Sequence, residues 1–175
     1  STPLGSVDHP FNPVSLALGA DATFVARTMD SDRKHLTEVL RAATAHRGTS
    51  LVEIYQNCPI FNDDAFAGLK EVDSPAVIPL VHGEPITFAG GQLGVVRGAD
   101  GRLAVKPVSD VAASDLVVHD AQAKDATLAF ELSQLTDTQD LSASPIGVFR
   151  DVARPVFDDE ARRQVSMPAD REAAL

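Results

Sequence analysis

The sequence predicts an α/β protein with a mostly parallel sheet and an extension that contains a β-hairpin. A strand, a helix and a second strand follow one another between residues 23 and 55, which is the order of a βαβ unit with parallel strands. Two further β-runs, at 92–97 and 102–108, flank the turn residues 98–101, a pattern typical of a hairpin. Hydrophobic residues make up 44% of the chain and aromatic residues 5%, so we expect an aliphatic core.

The helices of the first third carry their own start and stop signals. Asn12 and Pro13 are a capping residue and a first helical residue, and they predict a short helix that ends near Gly19. The acidic and hydroxyl residues at 30–32 cap a second helix, which Gly48 ends. The apolar run at 23–26 precedes this helix and the apolar run at 50–55 follows it, so each is predicted to be a strand.

The second half of the chain alternates turn residues with short apolar runs. A strand is predicted at 115–119, a helix at about 127–135 and a last strand at 145–150. The tail from Asp158 is charged and rich in alanine, so we expect it to be frayed or packed on another chain.

Charge and composition exclude several classes of partner. A formal net charge of −10 repels nucleic-acid phosphates and anionic membranes. The sequence has no run of about 20 apolar residues that could span a membrane, and no basic-then-apolar signal peptide. One cysteine in 175 residues excludes an internal disulfide and fits a reducing cytoplasm. The chain opens at Ser1 without an initiator methionine, so we expect further sequence before it.

Cys58 is the first candidate functional residue. It follows the strand predicted at 50–55, and ligands gather at the carboxyl ends of parallel strands. The residues by themselves favour a simpler interpretation, a buried thiol that acts as a small hydrophobe. No histidine lies in a recognisable base motif for a nucleophilic cysteine. Iron–sulfur clusters take about four ligands, so the other ligands of a cluster would lie outside this chain.

The opening loop, residues 1–12, is the second candidate site. It combines hydroxyl, carboxyl, imidazole and amide side chains in a framework of proline and glycine, and such loops often line sites on α/β scaffolds. A purely structural loop stays open as the simpler interpretation. His82 and His119 match no metal-ligand spacing, and the glycine pair at 90–91 is not followed by the residues of a phosphate loop.

Several stretches together resemble the thiamine-binding subunit of 2-oxoacid:ferredoxin oxidoreductases, and most of all the 2-oxoglutarate enzymes of high-GC Gram-positive bacteria. The resemblance is dense over residues 1–62 and thinner over 63–140. The stretches that carry it are 1–13, 16–27, 32–37, 55–59, 61–62, 145–150 and 154–155.

The resemblance implies the C-terminal part of a thiamine-diphosphate-binding fold. It divides the chain into the end of that domain at 1–58, an extension with the hairpin and the late strand at 59–157, and a charged tail at 158–175. Family members bind thiamine diphosphate and Mg²⁺ through a Gly-Asp-Gly…Asn motif, and hold one [4Fe–4S] cluster through four cysteines. This sequence has no Gly-Asp-Gly and no second cysteine.

The same resemblance implies roles for four residues. Cys58 matches the cluster ligand that follows a strand. Thr2, Gly5 and Asn12 follow the thiamine-binding region, so they are expected to approach the cofactor or the substrate carboxylate.

The implied activity is the coenzyme A-dependent oxidative decarboxylation of 2-oxoglutarate to succinyl-CoA, with electrons passing through the cluster to ferredoxin. The implied partner is an alpha subunit of the gamma-alpha type, in the cytoplasm. Two alternatives stay open: a non-catalytic docking module of a larger complex, and a hydrolase that uses Cys58.

Overall fold

The computed structural model describes residues 7–60, 62–136 and 141–166. Its helices and strands alternate along the first third of the chain and become strand-rich later. The helices are α1 (Pro13–Gly19), α2 (Arg33–Ala45), α3 (Thr127–Ser133) and α4 (Phe157–Ser166). The strands are β1 (Phe24–Met29), β2 (Ser50–Tyr55), β3 (Val77–Leu80), β4 (Thr87–Phe88), β5 (Leu93–Arg97), β6 (Leu103–Pro107) and β7 (Ser144–Asp151).

The main sheet has the strand order β2-β1-β7-β3. β1 pairs with β2 in parallel and β3 pairs with β7 in parallel, whereas β1 and β7 are antiparallel. The α/β class and the mostly parallel sheet are therefore confirmed. The hairpin is confirmed as well, because β5 and β6 pair antiparallel in a second sheet of order β4-β5-β6.

The main sheet is covered on both faces, so every residue of its central strand β1 is buried. On one face α2 packs through Val39 against Phe24 and Ala26. On the other face α1, α3 and the hairpin sheet form the larger core around Val25 and Phe149. The first three residues of β1 are apolar and buried, and they form the short apolar run expected of a strand that is covered on both faces.

The predicted helix caps are confirmed by their side-chain hydrogen bonds. The Asn12 side chain accepts a hydrogen bond from the backbone N–H of Ser15, and Pro13 is the first residue of α1. The Asp32 carboxylate accepts one from the backbone N–H of His35 at the start of α2. These bonds satisfy backbone donors that have no partner within a helix. None of the described helices is long and apolar enough to cross a membrane.

Two expectations for the second half need correction. Residues 115–119 follow a 3₁₀ turn at Ala113–Asp115 and form isolated bridges instead of a regular strand, because their partner changes from Val96 of β5, opposite Leu116, to Pro85 before β4, opposite Val118. The tail from Asp158 was expected to be frayed or packed on another chain. It is not frayed as far as Ser166, where it is helical with an acidic first turn that complements the dipole of α4, and its packing on another chain stays a prediction. The remainder of the tail lies outside the described residues. The three-part division of the chain stays a prediction.

Candidate functional site

Cys58 lies in a tight turn three residues beyond the end of β2. Its thiol is free and half-buried. Its backbone carbonyl accepts a hydrogen bond from the N–H of Asn62 at 2.9 Å, and the two residues form an isolated antiparallel bridge. The turn therefore holds the Cys58 backbone at the carboxyl end of the sheet, where the sequence predicted it.

The loop after Cys58 is held by the side chain of Asn57. The Asn57 amide nitrogen donates to Asp63 Oδ1 at 2.8 Å, and its oxygen accepts from the backbone N–H of Asp64 at 2.9 Å. Asp64 has a φ of +57°, a conformation that aspartate adopts at small cost. These contacts close the loop around the cysteine without using the sulfur, so the thiol stays available to a ligand.

The surroundings of Cys58 fit one ligand position of a larger site. Each of the five histidines hydrogen-bonds to a group other than Cys58, so the contacts among the described residues show no base for a nucleophilic cysteine. Within residues 7–60, 62–136 and 141–166, no group of three or more His, Cys, Asp or Glu side chains could hold a metal ion. A single thiolate can complete a cluster to which other polypeptide supplies the remaining ligands.

A buried ion pair lies on the strands that lead to this turn. Arg27 on β1 donates from Nε to Glu53 on β2 at 2.5 Å, and the arginine side chain is 1% exposed. The guanidinium also donates to the Thr136 hydroxyl and to the carbonyl of Pro145. A charged group this deep in a protein needs such partners. The Arg27 side chain therefore connects β1 with β2, through Glu53, and with β7, through Pro145.

Two aromatic rings connect the ion pair to the loop. Arg27 lies 5.1 Å from the centroid of the Tyr55 ring, and Tyr55 stacks on Phe66 at 4.7 Å. Burial raises the pKa of the Tyr55 hydroxyl, against the weaker opposing effect of the Arg27 charge. Tyr55 thus packs against Phe66 of the following loop, at the end of β2 that leads to Cys58.

A cavity of about 690 Å³ opens at the carboxyl end of β1, beside the first turn of α2. Its floor is apolar and its rim carries both signs of charge. Cys58 is not among the residues that line it. The floor residues are Met29, Leu69, Val77, Leu80, Phe88 and Ile146, and the charged rim residues are Asp32, Arg33, Lys70, Glu71 and Asp73.

The opening-loop residues have separate outcomes. Thr2 and Gly5 lie outside the described residues. Asn12 caps α1, and its amide nitrogen also donates to the carbonyl of Ser133 at the end of α3 at 3.0 Å. These two bonds give Asn12 a structural role between α1 and α3. Its approach to a cofactor stays a prediction.

Sequence reasoning did not identify Arg27 and Glu53. A usable signal was present, because each is a charged residue in the middle of an otherwise apolar strand run. Aligning the two runs in parallel register places Arg27 opposite Glu53. Opposite charges at paired positions of two neighbouring strands indicate an ion pair.

No protein-family model matches the chain. Among curated proteins, the chain is 58% identical over 167 residues to the 2-oxoglutarate oxidoreductase subunit KorB of Mycobacterium tuberculosis, a match that covers 94% of this chain and 44% of KorB. It is 40% identical over 63 residues to a 2-oxoacid:ferredoxin oxidoreductase subunit beta of Sulfolobus, covering 36% of this chain and 21% of that protein. The chain thus spans less than half the length of these relatives.

A solved structure shares the fold. The 2-oxoglutarate:ferredoxin oxidoreductase from Magnetococcus marinus, with 2-oxoglutarate, coenzyme A and succinyl-CoA bound, superposes with a TM-score of 0.57 at 22% identity, covering 98% of this chain and 46% of that one. By its sequence, this chain is similar to part of the beta subunits of the 2-oxoacid:ferredoxin oxidoreductases.

Proposed function

We propose that the chain forms part of the beta subunit of a 2-oxoglutarate:ferredoxin oxidoreductase, and that Cys58 is one thiolate ligand of its [4Fe–4S] cluster. The enzyme would convert 2-oxoglutarate and coenzyme A to succinyl-CoA and CO₂ and pass the electrons to ferredoxin. The observation that carries this proposal is the 58% identity to KorB over 94% of the chain. A match over 94% of the chain spans the position of Cys58, and the role of Cys58 itself is part of the proposal.

The chemistry of the donor supports the role of Cys58. Thiolates are the usual ligands of iron–sulfur clusters, and a half-buried thiol that forms no disulfide within the described part of the chain fits such a ligand. When bound, the cluster would supply one-electron transfer. The chain's own contribution is positional: the Asn57 bonds set the loop, and Tyr55 fixes the end of β2 that presents the thiol.

Thiamine diphosphate and Mg²⁺ belong to the proposed enzyme, but the described residues contain no recognisable binding motif or ligand set for them. The sequence lacks Gly-Asp-Gly, and no cluster of three or more carboxylate, imidazole or thiol groups occurs in the described part. We therefore assign no step at these cofactors to this chain. Thr2, Gly5 and Asn12 remain proposed neighbours of the cofactor or the substrate carboxylate.

The proposed partners follow from the family. The names of the relatives imply a multi-subunit oxidoreductase, and we propose an alpha subunit of the gamma-alpha type together with ferredoxin. A cytoplasmic location is part of the same proposal, supported by the use of a single unpaired cysteine.

The test replaces the matched segment of M. tuberculosis KorB with this chain, a protein called the KorB chimera below. The KorB chimera is co-purified with the alpha subunit, and 2-oxoglutarate-dependent reduction of methyl viologen is measured with and without coenzyme A. We expect reduction that needs both compounds. Native KorB is the positive control, and the matched control is the chimera with Cys58→Ser. An assembled chimera that binds iron but shows no such reduction contradicts the proposed activity.

A further inference from the structure

The outer edge of β2 pairs with no other strand in the described part of the chain. β2 is an edge strand of the order β2-β1-β7-β3, and all six of its residues are at least partly exposed. Natural proteins cover long strand edges, or protect them with proline, lysine or bulges, because unpaired N–H and C=O groups recruit other strands. β2 contains no proline or lysine, and its parallel register with β1 runs unbroken from Phe24 to Met29.

The register fixes which peptide groups point outward. The N–H of Phe24 donates to the carbonyl of Thr49, and the N–H of Asp30 donates to the carbonyl of Tyr55. Between these two bonds a parallel ladder alternates. The N–H and C=O groups of Leu51, Glu53 and Tyr55 therefore face β1. Those of Ser50, Val52 and Ile54 face away from the sheet.

An apolar groove of about 910 Å³ lies beside the start of this edge. It is lined by Ser50 and Leu51 of β2 and by residues from the start of α1 and the start of α4. Phe11 is 69% exposed, Leu16 is 60% exposed and Phe157 is 85% exposed. Large apolar side chains grouped beside a bare strand edge are typical of a surface that another polypeptide covers.

The length of the relatives identifies the occupant. The chain covers 44% of KorB and 46% of the solved Magnetococcus chain, so more than half of such a subunit lies outside it. We propose that the outer edge of β2 and this groove form the seam on which the rest of the beta subunit packs, with a strand of that part pairing with Ser50, Val52 and Ile54. This proposal rests on the family assignment above, and it needs neither a bound cofactor nor activity.

Amide hydrogen exchange tests the seam residue by residue. In the 175-residue chain alone, we expect protection to alternate, with slow exchange at Leu51, Glu53 and Tyr55 and fast exchange at Val52 and Ile54. In the KorB chimera, exchange at Val52 and Ile54 should slow by about 100-fold or more, because a covering strand makes their opening part of a cooperative unit. Fast exchange at both residues in the chimera overturns the proposal.

The dependence of amide protection on protein concentration distinguishes two possible occupants of the β2 edge, a second copy of the chain and the rest of the subunit. If Val52 and Ile54 are protected in the chain alone, and that protection grows with protein concentration, then another copy occupies the edge. That result overturns the proposal. Protection that appears in the chimera, and is independent of concentration, supports it.

A proline substitution supplies the second measurement. Ile54→Pro removes an outward N–H and leaves the bonds between β1 and β2 in place, since proline is tolerated on the open side of an edge strand. The matched control, Ile54→Ala, keeps that N–H. We expect both variants of the chain alone to melt at similar temperatures, whereas in the chimera Ile54→Pro lowers the melting temperature by about 5 °C more than Ile54→Ala. Equal melting temperatures for the Ile54→Pro and Ile54→Ala chimeras contradict the proposal that a strand pairs with this edge. A protected seam without 2-oxoglutarate-dependent reduction would refute the proposed activity alone.

Discussion

Removing Glu53 should leave the Arg27 guanidinium as a buried charge without its carboxylate. The arginine side chain is 1% exposed and Glu53 is 19% exposed, with 2.5 Å between Arg27 Nε and Glu53 Oε2. Breaking a buried pair by removing one partner costs about 3–5 kcal/mol. Arg27 keeps its bonds to Thr136 and Pro145, and Glu53 is partly solvated. We therefore expect Glu53→Ala to lower the free energy of unfolding by about 3 kcal/mol, at the lower end of that range.

Urea unfolding of the chain, followed by far-ultraviolet circular dichroism, measures this loss. For a protein of this size, about 3 kcal/mol corresponds to a fall in melting temperature of about 6–12 °C. Glu38→Ala on the exposed face of α2 is the control and should change the free energy by less than about 0.5 kcal/mol. The double variant Arg27→Met with Glu53→Ala should recover at least half of the loss, because no unpaired charge remains buried. A loss below about 1 kcal/mol for Glu53→Ala would refute the role of the pair.

Two further changes test other contacts. Gly48→Ala should lower the free energy of unfolding by about 2 kcal/mol or more, because Gly48 has a φ of +147° and an added Cβ would lie 2.3 Å from Thr23 Oγ1. The control in the same thermal melts is Gly68→Ala, whose added Cβ meets no atom within 4 Å. Equal melting temperatures for the two variants would contradict the expectation. Burial lowers the pKa of His119 from its ordinary 6.5, so the folded protein disfavours the protonated ring and loses stability as the pH falls below about 6.5. His119→Gln should make the urea unfolding midpoint depend less on pH between pH 7.5 and pH 5. An unchanged pH dependence would show that His119 does not cause the loss of stability.

The local elements could be predicted because their signals are local. Asn12 and Asp32 are capping residues whose bonds involve backbone groups three residues ahead, and the turn at 98–101 joins neighbouring strands. Cys58 could be placed at a strand end for the same reason, since the strand precedes it directly. Its role as a ligand came from resemblance, because a lone cysteine carries no spacing from which a cluster can be inferred.

Features that depend on distant parts of the chain could not be predicted in the same way. β7 lies between β1 and β3, and no pattern in residues 144–151 specifies an antiparallel partner more than a hundred residues earlier. The helical part of the tail, by contrast, has a local signal, because Glu160 and Arg163 lie three residues apart and form an ion pair. The bare edge of β2 appears when the register of the whole sheet is known.

The iron content of the KorB chimera tests most directly whether Cys58 is a cluster ligand. The purified complex is analysed for iron per beta subunit and for its visible absorption, with Cys58→Ala compared against the unsubstituted chimera. Ser114→Ala, on an exposed turn, is the control substitution. We expect Cys58→Ala to lose iron and the brown chromophore while the complex still assembles. Full retention of about four irons per cluster in that variant would contradict the assignment.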